Sequence, residues 1–352
     1  MTLTLAGFMA ALMLAALNAY VLLGGADFGG GVWDLLATGR RRDQQRALIA
    51  HAIGPIWEAN HVWLIFVVVL LFTCFPPAFA AIVTELHIPL TLMLFGIVLR
   101  GSAFTFRTYD STASDVQRRW GLVFSWSSLL TPVALGICVG AMASGAVGRI
   151  GGGASATPFL ERFVLPWTTP FVLGVGVFAL VLFAFLAAVY LTVEAEGDVG
   201  LQRDFRQRAL ASGLALFVCA FGTLALSREH APRILTGVMR SPAAFPLQVT
   251  TAVTALVALI ALVTRRYRVA RMAAGAQASL ILWGWGIAMY PYLVPDSHTI
   301  QSAAAPAITL RLTLGAVALG ALGLVPSLMY LFRVFKARPS AFAQLDESSE
   351  LH

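Results

Sequence analysis

Apolar runs of about twenty residues, the length a helix needs to cross a bilayer, recur along the whole of this chain. Nothing else in the sequence constrains the fold as strongly. In a bilayer core the backbone has no water to bond to, so a run of this kind must satisfy its own N–H and C=O groups as a helix. Nine spans can be drawn, at roughly 4–26, 50–75, 78–104, 119–145, 163–193, 207–227, 247–264, 271–291 and 307–335. Composition agrees, with 12% charged residues and a mean hydropathy of +0.81. A soluble fold with so little polar surface would expose large apolar patches. The expectation is an all-α polytopic membrane protein. The first span could pass for a cleaved leader. It lacks a basic start, however, and runs into Gly24-Gly25-Ala26-Asp27, so it is read as retained.

The net charge of +7 invites a nucleic-acid reading, but its distribution argues for topology instead. Basic residues follow the first, third, fifth, seventh and ninth spans: Arg40, Arg41, Arg42 and Arg46; Arg107, Arg118 and Arg119; Arg203, Arg206 and Arg208; Arg265, Arg266, Arg268 and Arg271; Arg333, Lys336 and Arg338. The alternate loops hold only Arg149, Arg162, Arg228, Arg233 and Arg240. Basic loops stay in the cytoplasm. The N-terminus is therefore placed outside, the C-terminus in the cytoplasm, and no nucleic-acid partner is expected.

The glycine-rich connection around 146–162 reads as flexible and separates two sets of four spans. The chain divides accordingly into a first four-helix bundle (1–150), a second (151–295), a ninth helix (296–339) and a disordered cytoplasmic tail (340–352). Cys74, Cys138 and Cys219 stand singly, without the paired spacing of a metal site, and read as small buried hydrophobes.

Ionisable side chains inside spans are costly and mark function by default. Asp27 closes the first span within the run from Gly24 to Gly31; a solvated carboxylate at a packed helix end is the plainer account. The second span opens with His51 and carries Trp57, Glu58, Asn60, His61 and Trp63. At 1.5 Å per residue, that start puts Glu58 about 10 Å in from the cytoplasmic helix end. Glu58 and His61, three apart, lie on neighbouring faces, with Asn60 as a neutral donor and acceptor. Trp57 and Trp63 supply bulk that excludes water. A structural hydrogen-bonded knot is the alternative to a functional cluster. Arg100, near the inner end of the third span, needs a carboxylate partner, for which Asp27 and Glu58 are candidates, unless it snorkels to the headgroups. Glu85 and His87 fall at the outer interface. Di-iron bundles need two Glu-x-x-His motifs, and the spans offer one, so no metal site is expected. No second buried histidine faces His61 to complete a haem ligand pair.

Four stretches resemble cytochrome bd-type quinol oxidase subunit II. They are Gly24 to Asp34, Gly54 to Leu64, Leu99 to Arg107 and Tyr290 to Pro295, in order and over essentially the full chain. The resemblance implies two four-helix bundles plus a peripheral ninth helix, paired with a subunit I of like fold. It places the cofactors, a low-spin and a high-spin haem b and a haem d, in that partner, and leaves no catalytic or metal-binding residue here. Quinol and O2 would be substrates of the complex, an electrogenic respiratory terminal oxidase of the bacterial cytoplasmic (inner) membrane. This chain would contribute cytoplasmic proton delivery through Glu58, Asp27, His61 and Asn60, with Arg100, Trp57 and Trp63 as charge partner and packing. A structural quinone and a small single-span accessory subunit occur in some members, and these residues leave both open. A secondary transporter and a purely structural assembly subunit are the rival readings.

Overall fold

Proline opens several of the helices: Pro76, Pro170 and Pro232 each stand at the first position of one. The computed structural model describes residues 4–54, 56–109, 114–148, 158–240 and 244–336. In chain order they form α1 (Leu5–Leu35), α2 (Arg42–Ile53), α3 (Trp57–Cys74), α4 (Pro76–Glu85), α5 (His87–Tyr109), α6 (Ser114–Ala143), α7 (Phe159–Phe163), α8 (Pro170–Glu194), α9 (Val199–His230), α10 (Pro232–Arg240), α11 (Ala244–Val263) and α12 (Tyr267–Met289). A short antiparallel pair, β1 (Tyr292–Val294) and β2 (His298–Thr299), precedes α13 (Ala307–Lys336). Among the described residues, nine helices are long and apolar enough to cross a membrane: α1, α3, α5, α6, α8, α9, α11, α12 and α13. The expected all-α polytopic architecture is borne out. The connection around 146–162 is described only in part, and the tail from 340 lies outside the described residues.

Three boundaries differ from the sequence reading. α1 does not stop at the glycine run but continues through it to Leu35. Glycine weakens a helix interior by ~1 kcal/mol relative to alanine, yet here it permits close packing: a Cβ on Gly29 would run into the Phe183 carbonyl of α8. The second span is two helices, α2 and α3, parted after Gly54, where the sequence places a proline that has no N–H to continue the helical ladder. The third is also two, α4 and α5, meeting at Leu86.

Caps fix several ends. Thr4 accepts from the Gly7 N–H (3.1 Å), Thr169 from Val172 (3.4 Å) and Asp198 from Leu201 (2.9 Å).

The arginine-rich loops gather at one end of the molecule. There Arg41 Nε donates to Asp204 (2.9 Å), Gln45 donates to the same carboxylate (2.8 Å), and Arg268 reaches Glu196 (3.0 Å). The hydrogen bond from Arg41 and the Asp204 charge hold the Arg41 guanidinium above its ordinary value. At the other end Gly148 N–H donates to Glu85 (2.8 Å), Ala305 N–H to the Cys74 carbonyl (2.8 Å), and Arg233 pairs with Asp296.

α8 lies at the centre. It packs against α1, α6 and α9, and the Trp33 indole N–H of α1 donates to the Ala184 carbonyl (2.7 Å). α13 runs along the outside, its apolar side chains largely exposed.

Candidate functional site

The helical continuation of α1 places Asp27 inside the molecule. It lies eight residues before the helix end, about 12 Å along the axis, and is only 4% exposed. The expectation of a carboxylate solvated at a helix terminus is therefore corrected: the glycines that were to end the helix let neighbours close over it instead. From α3, Asn60 Nδ2 donates to Asp27 Oδ2 at 2.7 Å. From α5, Arg100 enters the same interior at 1% exposure. Its guanidinium lies over the Phe28 ring (4.6 Å) and the Phe124 ring (5.3 Å), and Nε donates to Ser128 Oγ at 3.2 Å. Arg100 and Asp27 are near enough to act on each other electrostatically. Arg100 does not snorkel; aromatic faces and Ser128 hold it in place.

His61 closes the group. Its Nδ1 is 2.8 Å from the Trp57 carbonyl, and since a carbonyl only accepts, Nδ1 carries the proton in that bond. The ring meets Tyr20 (5.8 Å), Phe28 (5.7 Å) and Trp57 (6.1 Å) edge-on. Buried Tyr20 Oη, Asn60 Oδ1, His61 Nε2 and Arg100 Nη2 have no hydrogen-bond partner among the described residues. Three helices thus bring a hydrogen-bonded amide, an imidazole and a guanidinium together around the Asp27 carboxylate.

Glu58 stands apart. Because α3 begins at Trp57, Glu58 lies in its first turn rather than about 10 Å inside a longer helix. Its side chain is exposed, whereas Asn60, two residues on, is buried. A separation of two residues turns a helix by more than half a revolution, so Arg100 and Asn60 serve Asp27 and not Glu58. Glu58 instead opens a stripe of exposed apolar side chains at helical spacing: Val62, Ile65, Val69 and Phe72. A repeat of this kind is the seam along which another helix packs.

Trp57 covers Gly101 and Phe104 of α5, and Trp63 packs on the main core. Sequence reasoning missed Tyr20, Ser128 and Asp34. Asp34 is buried, accepts from Ser125 Oγ at 3.1 Å, and lends its carbonyl to Arg46 Nε at 3.2 Å. The signal was present: Tyr20, Asp27 and Asp34 recur every seven residues, one helix face, provided the helix is carried through the glycines. Among the described residues, no three of His, Cys, Asp and Glu come together as a metal-ligating group. The enclosure of His61 by three aromatic rings does not fit a haem.

Comparison with known proteins gives one family. A family model described as cytochrome bd terminal oxidase subunit II matches residues 5–335. A Bacillus subtilis (strain 168) protein, provisionally described as cytochrome bd menaquinol oxidase subunit II, is 23% identical over 322 residues, covering 90% of this chain and 91% of its own. The cytochrome bd-I ubiquinol oxidase subunit 2 of Escherichia coli (strain K12) is 24% identical over 192 residues, 51% of this chain and 46% of that one. A chain in the structure of bd oxidase from Geobacillus thermodenitrificans has the same fold. Its TM-score is 0.76 at 22% identity, with 94% of this chain and 98% of that chain covered.

Proposed function

The chain belongs to the cytochrome bd terminal oxidase subunit II family, and from that membership we propose that it pairs with a haem-bearing subunit I along the face that carries Glu58. As a family member it is a subunit of a quinol-oxidising oxidoreductase of the respiratory chain, crossing the bacterial inner membrane many times. A cytochrome oxidase holds haem, and in this proposal the haems b and d lie in subunit I. The complex oxidises quinol and reduces O2 to water. Reduction of O2 consumes protons, and drawing them from the cytoplasm makes the reaction electrogenic. Glu58 is proposed to hand those protons across the subunit boundary.

One observation carries the reading: a carboxylate at the head of an exposed apolar stripe on a membrane helix. Against lipid it is out of place, since ionisable groups in spans almost always face protein or a water-filled cavity. Against a partner subunit it is covered and can exchange protons. Behind it lie Asp27, hydrogen-bonded to Asn60, and His61, bonded to the Trp57 carbonyl, and Arg100 offsets the Asp27 charge.

The test is oxygen uptake per haem d in the purified complex. Glu58→Gln is expected to assemble with normal haem content but to turn over at least tenfold more slowly, a barrier increase of about 1.4 kcal/mol. Glu58→Asp keeps a carboxyl group and should retain much of the rate. Wild-type turnover per haem in the Gln variant would exclude Glu58 from an obligatory proton route. Loss of haem and of assembly with normal turnover in the remainder would make the residue structural.

A further inference from the structure

At the arginine-rich end, between α8, α9 and the turn joining α11 to α12, lies a cleft of about 270 Å³ lined by Val193, Glu196, Gln202 and the run from Arg265 to Val269. That is several times the ~30 Å³ share of a water molecule, room for a phosphate with part of its ester. Three arginines, Arg265, Arg266 and Arg268, line it together with one acidic residue, Glu196. That carboxylate is already engaged by Arg268, at 3.0 and 3.1 Å. Arg265 and Arg266 have no counter-charge among the described residues and are exposed. One helical turn from Gln202 on the same face of α9, Arg206 Nε is buried with no hydrogen-bond partner. The cleft therefore has a positive excess that the described residues leave uncompensated.

The local backbone repeats the message. α11 ends in a Schellman turn: Arg266 N–H donates to the Ala261 carbonyl (2.8 Å) and Arg265 N–H to Leu262 (3.4 Å). Arg265 thus takes the left-handed position, φ 59°, that glycine usually fills. α12 then starts on Arg266 without a side-chain cap and without an acidic residue in its first turn. Helix starts favour negative charge, and here the chain offers arginines instead. An anion in the cleft resolves both departures, meeting the guanidinium groups and the free N–H groups of the first turn together.

We propose that this cleft binds the phosphate of an anionic phospholipid headgroup, a site separate from the Glu58 face and independent of the pairing proposed above. Its place at the head of two membrane helices selects a lipid over a soluble anion, because the esterified chains run down the apolar surface of α11 and α12.

The purified, delipidated complex is titrated with short-chain phosphatidylglycerol, short-chain phosphatidylcholine and inorganic phosphate, and binding is read by native mass spectrometry and thermal stability. The expected result is retention and stabilisation by phosphatidylglycerol but not by phosphatidylcholine, whose choline neutralises its own phosphate. R265G/R266Q should weaken that binding at least tenfold; glycine suits the left-handed position, so the turn survives. R42Q, in another basic loop, should leave it unchanged. Equal phosphatidylglycerol binding by R265G/R266Q and the unaltered chain overturns the proposal. So does saturation by inorganic phosphate with no preference for the lipid, which would make the ligand a free anion.

Discussion

In Arg100 a full positive charge lies inside a membrane bundle with 1% of its surface exposed, between the faces of Phe28 and Phe124 and within reach of the Asp27 charge. Removing one member of a buried charge pair costs more than the pair contributes, about 3–5 kcal/mol, because the other is left uncompensated. Arg100→Gln is therefore expected to lower the yield of assembled complex severely, measured by blue native electrophoresis and haem content. Arg100→Lys keeps the charge but loses the flat guanidinium that covers two rings while bonding Ser128. It should assemble in reduced amount and melt earlier than the parent. Assembly of the Gln variant at parental yield and melting temperature would show that Asp27 is neutral or otherwise compensated.

Among the elements, α1 and α8 make the contact on which the interior depends. Gly29 presses against the Phe183 carbonyl, and Gly31 against Ser128 of α6. A β-branched side chain at Gly29 must push two helices apart, and overpacking of this kind costs roughly 1–3 kcal/mol. Gly29→Val should lower the melting temperature of the complex and loosen the Asp27 layer, which sits half a turn away. Gly320 of α13 is the contrast, with open space where a Cβ would stand. Gly320→Ala should melt at or above the parental temperature, since alanine gains up to ~1 kcal/mol of helix propensity. Equal effects at the two glycines would mean that α1 and α8 do not rely on close approach.

For the molecule as a whole, the two ends differ in charge, and the arginine-rich end is expected on the cytoplasmic side. Introduced cysteines at Arg42 and Arg268 should react with an impermeant maleimide only after the cytoplasmic side is opened, while one at Thr236 should react in intact spheroplasts. Labelling of Arg42 and Thr236 positions from the same side would contradict the spans, and labelling with the sides exchanged would invert the orientation.

The spans were legible in the sequence because the cost of an unbonded backbone in lipid makes hydropathy and structure nearly one property. The all-α class follows from it; the alternation of basic loops gave the grouping of arginines at one end, and the outer place of α13 was implied by the family resemblance. Asp27, Asn60, His61 and Arg100 could be picked out because polar groups in such runs need a reason. Their arrangement could not. Whether a glycine run ends a helix or lets it pack depends on what lies beside it, and Phe183, more than a hundred and fifty residues away, decided that for Gly29. The sequence reading grouped Glu58 with Asn60 and His61, and nothing in the spacing along α3 says which of Glu58 and Asn60 faces inward. That was settled by the helices that close on Asn60 and leave Glu58 uncovered, since burial is a property of the assembled bundle and not of any one run.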